Sequence, residues 1–227
     1  LFSVIFHYFF DCMNNVCHIL IRHSRRLYDL YQDAGTPWEW QARIKEECEA
    51  CGVDFLSTPF DAAAVDFLEQ IGCEAYKIAS FELVDLPLIE YAASKGKPMI
   101  ISCGMGSLEE IQDAVDACRR VGNHQIVLLK CCSEYPASWA DMHLGNIPDM
   151  KQRFGVSVGL SDHSMGSLGA VVGVALGACV VEKHVYKSVS LRNLRRLLLT
   201  AGQFPGHCPV FLHDLRSFPQ SGKDFPD

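Results

Sequence analysis

The sequence predicts an α/β chain of the TIM, or (β/α)8-barrel, type. Three observations point there. From Thr36 to Val185, short β-rich runs ending in small polar residues alternate with stretches of helical period and Gly or Pro turns. The polar residues that end the runs are Thr58, Ser80, Ser102, Ser133, Ser161 and Glu182, at steps of 22, 22, 31, 28 and 21 residues. Every unit also places its polar or ionisable residues at the same end of its run, where barrels of this type build their sites. Units of this period imply a parallel sheet with right-handed crossovers. A doubly wound open sheet fits the same period, and it is the common polar end that favours the barrel. Six of the eight units are recognisable, so the barrel is expected to be incomplete.

The elements follow in order. The strands are expected at Val53–Thr58, Ala75–Ser80, Met99–Ser102, Ile126–Lys130, Val156–Leu160 and Cys179–His184. Most are near-continuous apolar runs, as parallel strands covered on both faces should be. Asp61 is placed to cap a helix carrying Val65 and Leu68. Pro87 suits the first turn of the next helix, after Asp85 or Leu86, and Gly96 ends it. Ser107 and Glu110 form a capping box. Behind them Leu108, Ile111, Val115 and Cys118 fall on one helical face, and Gly122 closes that helix.

The two ends differ from this grammar. Residues 1–35 are apolar at the start and lack caps or strand punctuation; residues 186–227 hold a Leu/Arg stretch, Leu191–Leu199, and then Gly and Pro breakers. The domain organisation expected is an atypical segment 1–35, a partial barrel 36–185 and an atypical tail 186–227. The run Leu1–Phe10 has the length of a signal-peptide core, but the basic residues follow it and no small-residue cleavage site is evident, so secretion is not expected.

Composition narrows the function classes. Lys plus Arg number 20 and Asp plus Glu 27, a net charge of −7, which is no electrostatic footprint for nucleic acid or anionic lipid. No apolar run reaches the roughly 18 residues a membrane span needs. The 11 cysteines, with Cys131 and Cys132 adjacent, do not make a disulfide framework, and a reducing, cytoplasmic compartment is expected. Cys48 and Cys51 have metal-site spacing but no second pair, and are expected in a helix.

The chemistry gathers at the strand ends. In Ser161-Asp162-His163 and Glu182-Lys183-His184, alternation puts Ser161 with His163 on one face and Glu182 with His184 on one face. Two imidazoles and a carboxylate at the ends of neighbouring strands suit a divalent ion such as Mn²⁺; the alternative is two satisfied core histidines. Lys77 and Lys130 lie within strand runs, where a buried ammonium requires an anion. With Thr58, Ser80, Ser102, Ser133 and the close backbone approach Gly104 permits, they describe a phosphate or carboxylate site.

The motifs Phe55-Leu-Ser-Thr-Pro-Phe-Asp61, Tyr76-Lys-Ile-Ala-Ser-Phe-Glu82, Lys97-Pro-Met-Ile-Ile-Ser-Cys-Gly-Met105, Leu128-Leu-Lys-Cys-Cys-Ser-Glu-Tyr-Pro136, Gly159-Leu-Ser-Asp-His163, Ala175-Leu-Gly-Ala and Glu182-Lys-His184 stand in one order over about 150 residues. In that set the sequence resembles the sialic acid synthases, phosphoenolpyruvate-dependent synthases of nonulosonic acids. The wording around Thr36-Pro-Trp-Glu-Trp40 and Tyr76–Glu82 is most similar to the pseudaminic acid synthase branch.

The resemblance implies a transferase of carbohydrate biosynthesis that joins phosphoenolpyruvate to an N-acetylated amino sugar, giving a 2-keto nonulosonic acid and phosphate. It implies that His163 and His184 hold a divalent metal, Mn²⁺ or Mg²⁺. It places Thr58, Lys77, Ser80, Ser102, Ser133 and Ser161 on phosphoenolpyruvate, Tyr135 on the sugar, and Glu82 and Glu182, with Lys77, in the catalytic centre. The family's first-strand glutamate, second-strand lysine, acidic segment after Glu-Lys-His and C-terminal antifreeze-like domain are not recognisable here, and Cys103 and Cys132 stand where Thr is usual. Little turnover is therefore expected of these residues alone, and a family-type homodimer, which that domain supports, stays open. The alternative reading is a non-catalytic, degenerate barrel that retains metal or anion binding. A phosphoenolpyruvate aldol synthase of the sugar-phosphate or aromatic type would share the chemistry but not these motifs.

Overall fold

The computed structural model describes residues 4–8, 37–50, 53–185 and 210–214, with side chains described for 37–50 and 53–183. Its strands are β1 (Val4–Tyr8), β2 (Asp54–Ser57), β3 (Tyr76–Ile78), β4 (Met99–Ser102), β5 (Ile126–Cys131), β6 (Ser157–Asp162), β7 (Val181–Val185) and β8 (Val210–Asp214). They pair in chain order, all parallel, and β1 also pairs with β8, so the sheet is a closed barrel. The six expected strands are β2 to β7, within one or two residues at most ends. Ala75–Ser80 shortens to β3 because Ser80–Val84 turns into a 3₁₀ helix.

The expected incompleteness does not extend to the strands. Val4–Tyr8 pairs with β2 and Val210–Asp214 with β7 and β1. Both lie outside the regular run of units between Thr36 and Val185, so the repeating grammar did not single them out.

The helices described are α1 (Trp38–Ala50), α2 (Ala62–Gln70), α3 (Leu86–Ala93), α4 (Leu108–Arg120), α5 (Asn146–Phe154) and α6 (Leu168–Ala175). Local chemistry starts them where expected. Asp61 accepts from the Ala64 amide at 2.7 Å, Asp85 accepts from Leu88 at 3.1 Å with Pro87 in the first turn, and the Ser107–Glu110 capping box is closed on both sides. Such a cap contributes about 1 kcal/mol. Gly96 and Gly122 take positive φ after their helices. Cys48 is buried in α1, as expected, while Cys51 lies outside the described residues. Ile111, Val115 and Cys118 are buried, while Leu108, the first residue of α4, is exposed.

The core lies between helices and strands and inside the barrel. Tyr76, Ile78, Met99, Ile101, Leu128, Leu129 and Leu160 are fully buried. Among the described residues no helix is long and apolar enough to cross a membrane.

Packing is close where β6 passes the residue before β7. A Cβ on Gly159 would lie 2.3 Å from Val180 Cγ1, 2.6 Å from the Val180 carbonyl oxygen and 2.8 Å from Leu129 Cδ2. The carbonyl is held in the ladder by the Leu160 amide at 2.9 Å and cannot step aside as a side chain would. Gly159→Ala is expected to lower stability by about 1–3 kcal/mol, the cost of overpacking. Urea unfolding checks it, and an unchanged midpoint would contradict the packing described.

Candidate active site

Parallel pairing carries all strand C-termini to one end of the barrel. Lys77, in the middle of β3, is 2% exposed. Its Nζ donates to Ser102 Oγ at the end of β4, at 2.7 Å, and to the Ile78 carbonyl at 3.1 Å. Glu182 of β7 brings Oε2 to within 3.4 Å of the same ammonium. The demand of a buried cation for an anion is met from across the barrel.

Glu182 extends the network. Its Oε1 accepts from Ser161 Oγ at 2.6 Å, and Ser161 lies 3.1 Å from His163 Nε2. Tyr135 OH is 3.0 Å from the same nitrogen, and the two rings stack at 4.0 Å. The partners assign the protons. His163 Nδ1 is 2.6 Å from the Cys132 carbonyl, which only accepts, so Nδ1 carries the hydrogen. Ser161 commits its single proton to the Glu182 carboxylate. Tyr135 is then the donor to Nε2, whose lone pair accepts the tyrosine hydroxyl.

The anion side is assembled around Gly104. Its amide donates to Ser80 Oγ at 3.1 Å. A Cβ there would lie 2.4 Å from Ser133 Oγ, 3.0 Å from Ser80 Oγ and 3.0 Å from Cys131 Sγ. Ser80 and Ser133, 53 residues apart in the chain, are thus brought to one point, and only glycine leaves the space between them. The Ser80 and Ser161 hydroxyls also flank Cys131, whose thiol burial pushes up to about 11; burial pushes Cys103 up to about 12. Both thiols are protonated at neutral pH.

The other expected site residues fall as follows. Thr58 is buried just past β2, at the same end. Glu82 lies in the 3₁₀ helix after β3, and its Oε2 is buried without a hydrogen-bond partner. Burial raises its pKa, with the nearby Lys77 pulling the other way. Lys130 departs from expectation. It alternates with Cys131 on β5 and is half-buried, and its ammonium bonds to the Cys131 carbonyl at 2.7 Å, so Lys77 is the lysine of the central network. His184 is in β7, paired with His213 of β8 in the ladder, but its side chain lies outside the described residues, and so does its expected convergence with His163.

Among the described residues no group of three His, Cys, Asp or Glu side chains is poised to hold a metal. The donors that are described are of types that suit a divalent ion: an imidazole with Nδ1 anchored to a carbonyl and an unprotonated Nε2 that a metal would take over from the Tyr135 hydroxyl, a carboxylate and a hydroxyl. Around this polar floor the loops carry exposed Phe60, Phe81, Met105, Trp139 and Met165.

Sequence reasoning missed the partner of Lys77. Nothing in the spacing of Lys77 and Glu182 foretells their contact, which only closure of the barrel creates. Asp162 and Lys183, read only as the middle residues of two motifs, form a second buried pair at 2.8 Å.

Several known proteins share this arrangement of sequence and fold. A profile described as the NeuB family matches residues 14–193. A pseudaminic acid synthase of Helicobacter pylori is 46% identical over 170 residues, covering 75% of this chain and 50% of the relative. An N,N'-diacetyllegionaminic acid synthase of Legionella pneumophila is 40% identical over 152 residues, covering 65% of this chain and 43% of the relative. The crystal structure of an N-acetylneuraminic acid synthetase from Leptospira borgpetersenii, in complex with citrate, superposes with a TM-score of 0.72 at 25% identity, over 87% of this chain and 71% of that one. The chain spans about half the length of the curated relatives it matches.

The Lys77–Glu182 pair generates a stability prediction. Removing one partner of a buried pair leaves the other uncompensated and costs about 3–5 kcal/mol. Lys77→Met is expected to destabilise the chain by that order. Adding Glu182→Gln should recover most of the loss, because a neutral amide still accepts from Ser161. Chemical denaturation of the two single variants and the double variant checks this; a double variant as unstable as Lys77→Met would refute the pairing.

Proposed function

The chain belongs to the NeuB family, and from that premise we propose that it carries the phosphoenolpyruvate-binding and condensing centre of a nonulosonic acid synthase. Its sugar would be an N-acetylated amino sugar of the pseudaminic or sialic acid type. The observation that carries this reading is the buried Lys77 ammonium, set among Ser102, Ser161 and Glu182 at the mouth of the barrel, next to the Ser80–Gly104–Ser133 cradle. A cationic, donor-rich pocket is what a phosphate and a carboxylate on one small molecule require.

In this reading Lys77 and the hydroxyls of Thr58, Ser80, Ser102, Ser133 and Ser161 hold phosphoenolpyruvate. Carbon 3 of the enol forms a bond to the aldehyde carbon of the open-chain sugar, whose carbonyl oxygen takes a proton. Water adds its oxygen to carbon 2 and gives up one proton, which balances the one taken by the sugar oxygen; the carbon–oxygen bond to phosphate then breaks, the phosphate leaves with the remaining hydroxyl proton, and the 2-keto acid is left. Tyr135, stacked on His163, borders the sugar side. Glu82, its pKa raised by burial, is placed to hold or release a proton near Lys77. Glu182 balances the Lys77 charge and orients Ser161 until substrate arrives. His163, together with His184, would hold a divalent metal, Mn²⁺ or Mg²⁺, which when bound polarises the sugar carbonyl. The setting we propose is cytoplasmic, where phosphoenolpyruvate is available and thiols stay reduced.

Calorimetry tests the anion side without requiring turnover. Phosphoenolpyruvate should bind saturably and inorganic phosphate should compete. A charge-assisted bond contributes about 1.5–3 kcal/mol, so Lys77→Ala should weaken binding by about one to two decades. An affinity unchanged in Lys77→Ala would reject this placement of the substrate.

A further inference from the structure

The face of β6 and β7 that looks away from the substrate cradle carries charge as well. Asp162 is 0% exposed and Lys183 is 8% exposed. Lys183 Nζ lies 2.8 Å from Asp162 Oδ2 and also donates to the Ser164 carbonyl. Asp162 Oδ1 accepts from the Ser164 amide at 2.9 Å and from Ser164 Oγ at 2.6 Å. Both carboxylate oxygens are therefore engaged. The ladder sets Asp162 opposite Lys183 and Ser161 opposite Glu182, so the pair sits one residue out of phase with the site, beneath α6. Gly169 at the start of α6 makes room for it: a Cβ there would lie 2.9 Å from Ser164 Oγ and 3.1 Å from Asp162 Oδ1.

A pair buried this way is a poor source of stability, since an apolar replacement of similar volume is often as stable or more so. Burial pulls the Lys183 pKa down, and Asp162 only partly restores it. What the pair does supply is direction. It ties the end of β6 to the end of β7 on either side of Ser161, His163 and Glu182. Through Ser164 it also reaches the loop after β5, because Ala137 bridges to Ser164 and its amide donates to the His163 carbonyl at 3.0 Å. That loop carries Tyr135.

We propose that Asp162 and Lys183 are a positioning pair: from outside the barrel they set where His163 Nε2 stands relative to Glu182 and Tyr135, and so tune the cation-holding side of the site. The inference rests on the reading of that side given under Proposed function.

The test uses the whole chain and three variants, Asp162→Asn, Lys183→Met and the double variant, with four readouts. These are the unfolding midpoint, a Mn²⁺ titration, an inorganic phosphate titration, and the imidazole ring-nitrogen NMR spectrum of metal-free protein. Wild type should show His163 as a single tautomer with hydrogen on Nδ1. In the variants Mn²⁺ affinity should fall by about 10–100-fold, the usual cost of removing an outer support, and His163 should become a tautomer mixture. Phosphate affinity, which reads Lys77, should hold. The double variant should be more stable than either single variant and yet recover no Mn²⁺ affinity, which separates positioning from stability. If a single variant fails to fold, the double variant and the milder Ser164→Ala, with a smaller loss in the same direction, decide the matter. A folded double variant with a single His163 tautomer and wild-type Mn²⁺ affinity overturns the inference. If wild type takes up no Mn²⁺, it is the metal reading that falls, and the tautomer spectrum alone decides the role of the pair.

Discussion

An ammonium inside a parallel barrel has no water to face, and the position of Lys77 imposes most of what surrounds it. An ion in that interior would cost several kcal/mol without compensation. Glu182 reaches it from β7, on the far side of the barrel, at 3.4 Å, and Ser102 reaches it from β4 at 2.7 Å. Glu182 in turn fixes Ser161, and Ser161 stands beside His163. One buried cation thus links β3, β4, β6 and β7 into a single polar floor. In the proposed reading, a dianion entering the mouth would take over part of the role that Glu182 fills beside Lys77.

Legibility followed locality. Asp61, Asp85 and the Ser107–Glu110 box act within one helical turn, and each caps the helix its spacing predicted. β2 to β7 were legible because turns and caps bracket apolar runs. Val4–Tyr8 and Val210–Asp214 stand outside that repeating pattern, and it is pairing with β2, β7 and each other, a tertiary fact, that identifies them as strands. Leu108 shows the limit of spacing arguments, which place a residue on a helical face without saying whether anything covers it.

The site divides the same way. Lys77 stood out because a lysine within an apolar run has few explanations. Lys130 met the same criterion, yet alternation beside Cys131 turns it away from the centre. The serines were weak signals one at a time. Ser80 and Ser133 gain meaning only from Gly104, between whose neighbours no Cβ fits. The Lys77–Glu182 contact was not legible at all, since the two residues are 105 positions apart and meet only across a closed barrel.

The ends of β6 and β7 are polar on both faces, unlike the apolar body of β4. In a parallel barrel both faces of a strand are buried, so the economical sequence is apolar throughout, as Met99–Ile101 is. Ser161-Asp162-His163 and Glu182-Lys183 instead bury a hydroxyl, an imidazole, two carboxylates and an ammonium. A single polar face could be explained by substrate alone. Two faces out of phase cannot, because Asp162 and Lys183 look away from the mouth. Every polar atom kept there needs its own partner, and Ser164, Gly169 and the Ala137 bridge are shaped to provide partners and space. An arrangement that apolar packing could replace at no loss of stability is best understood by what it orients, and the groups it orients are His163 and Glu182.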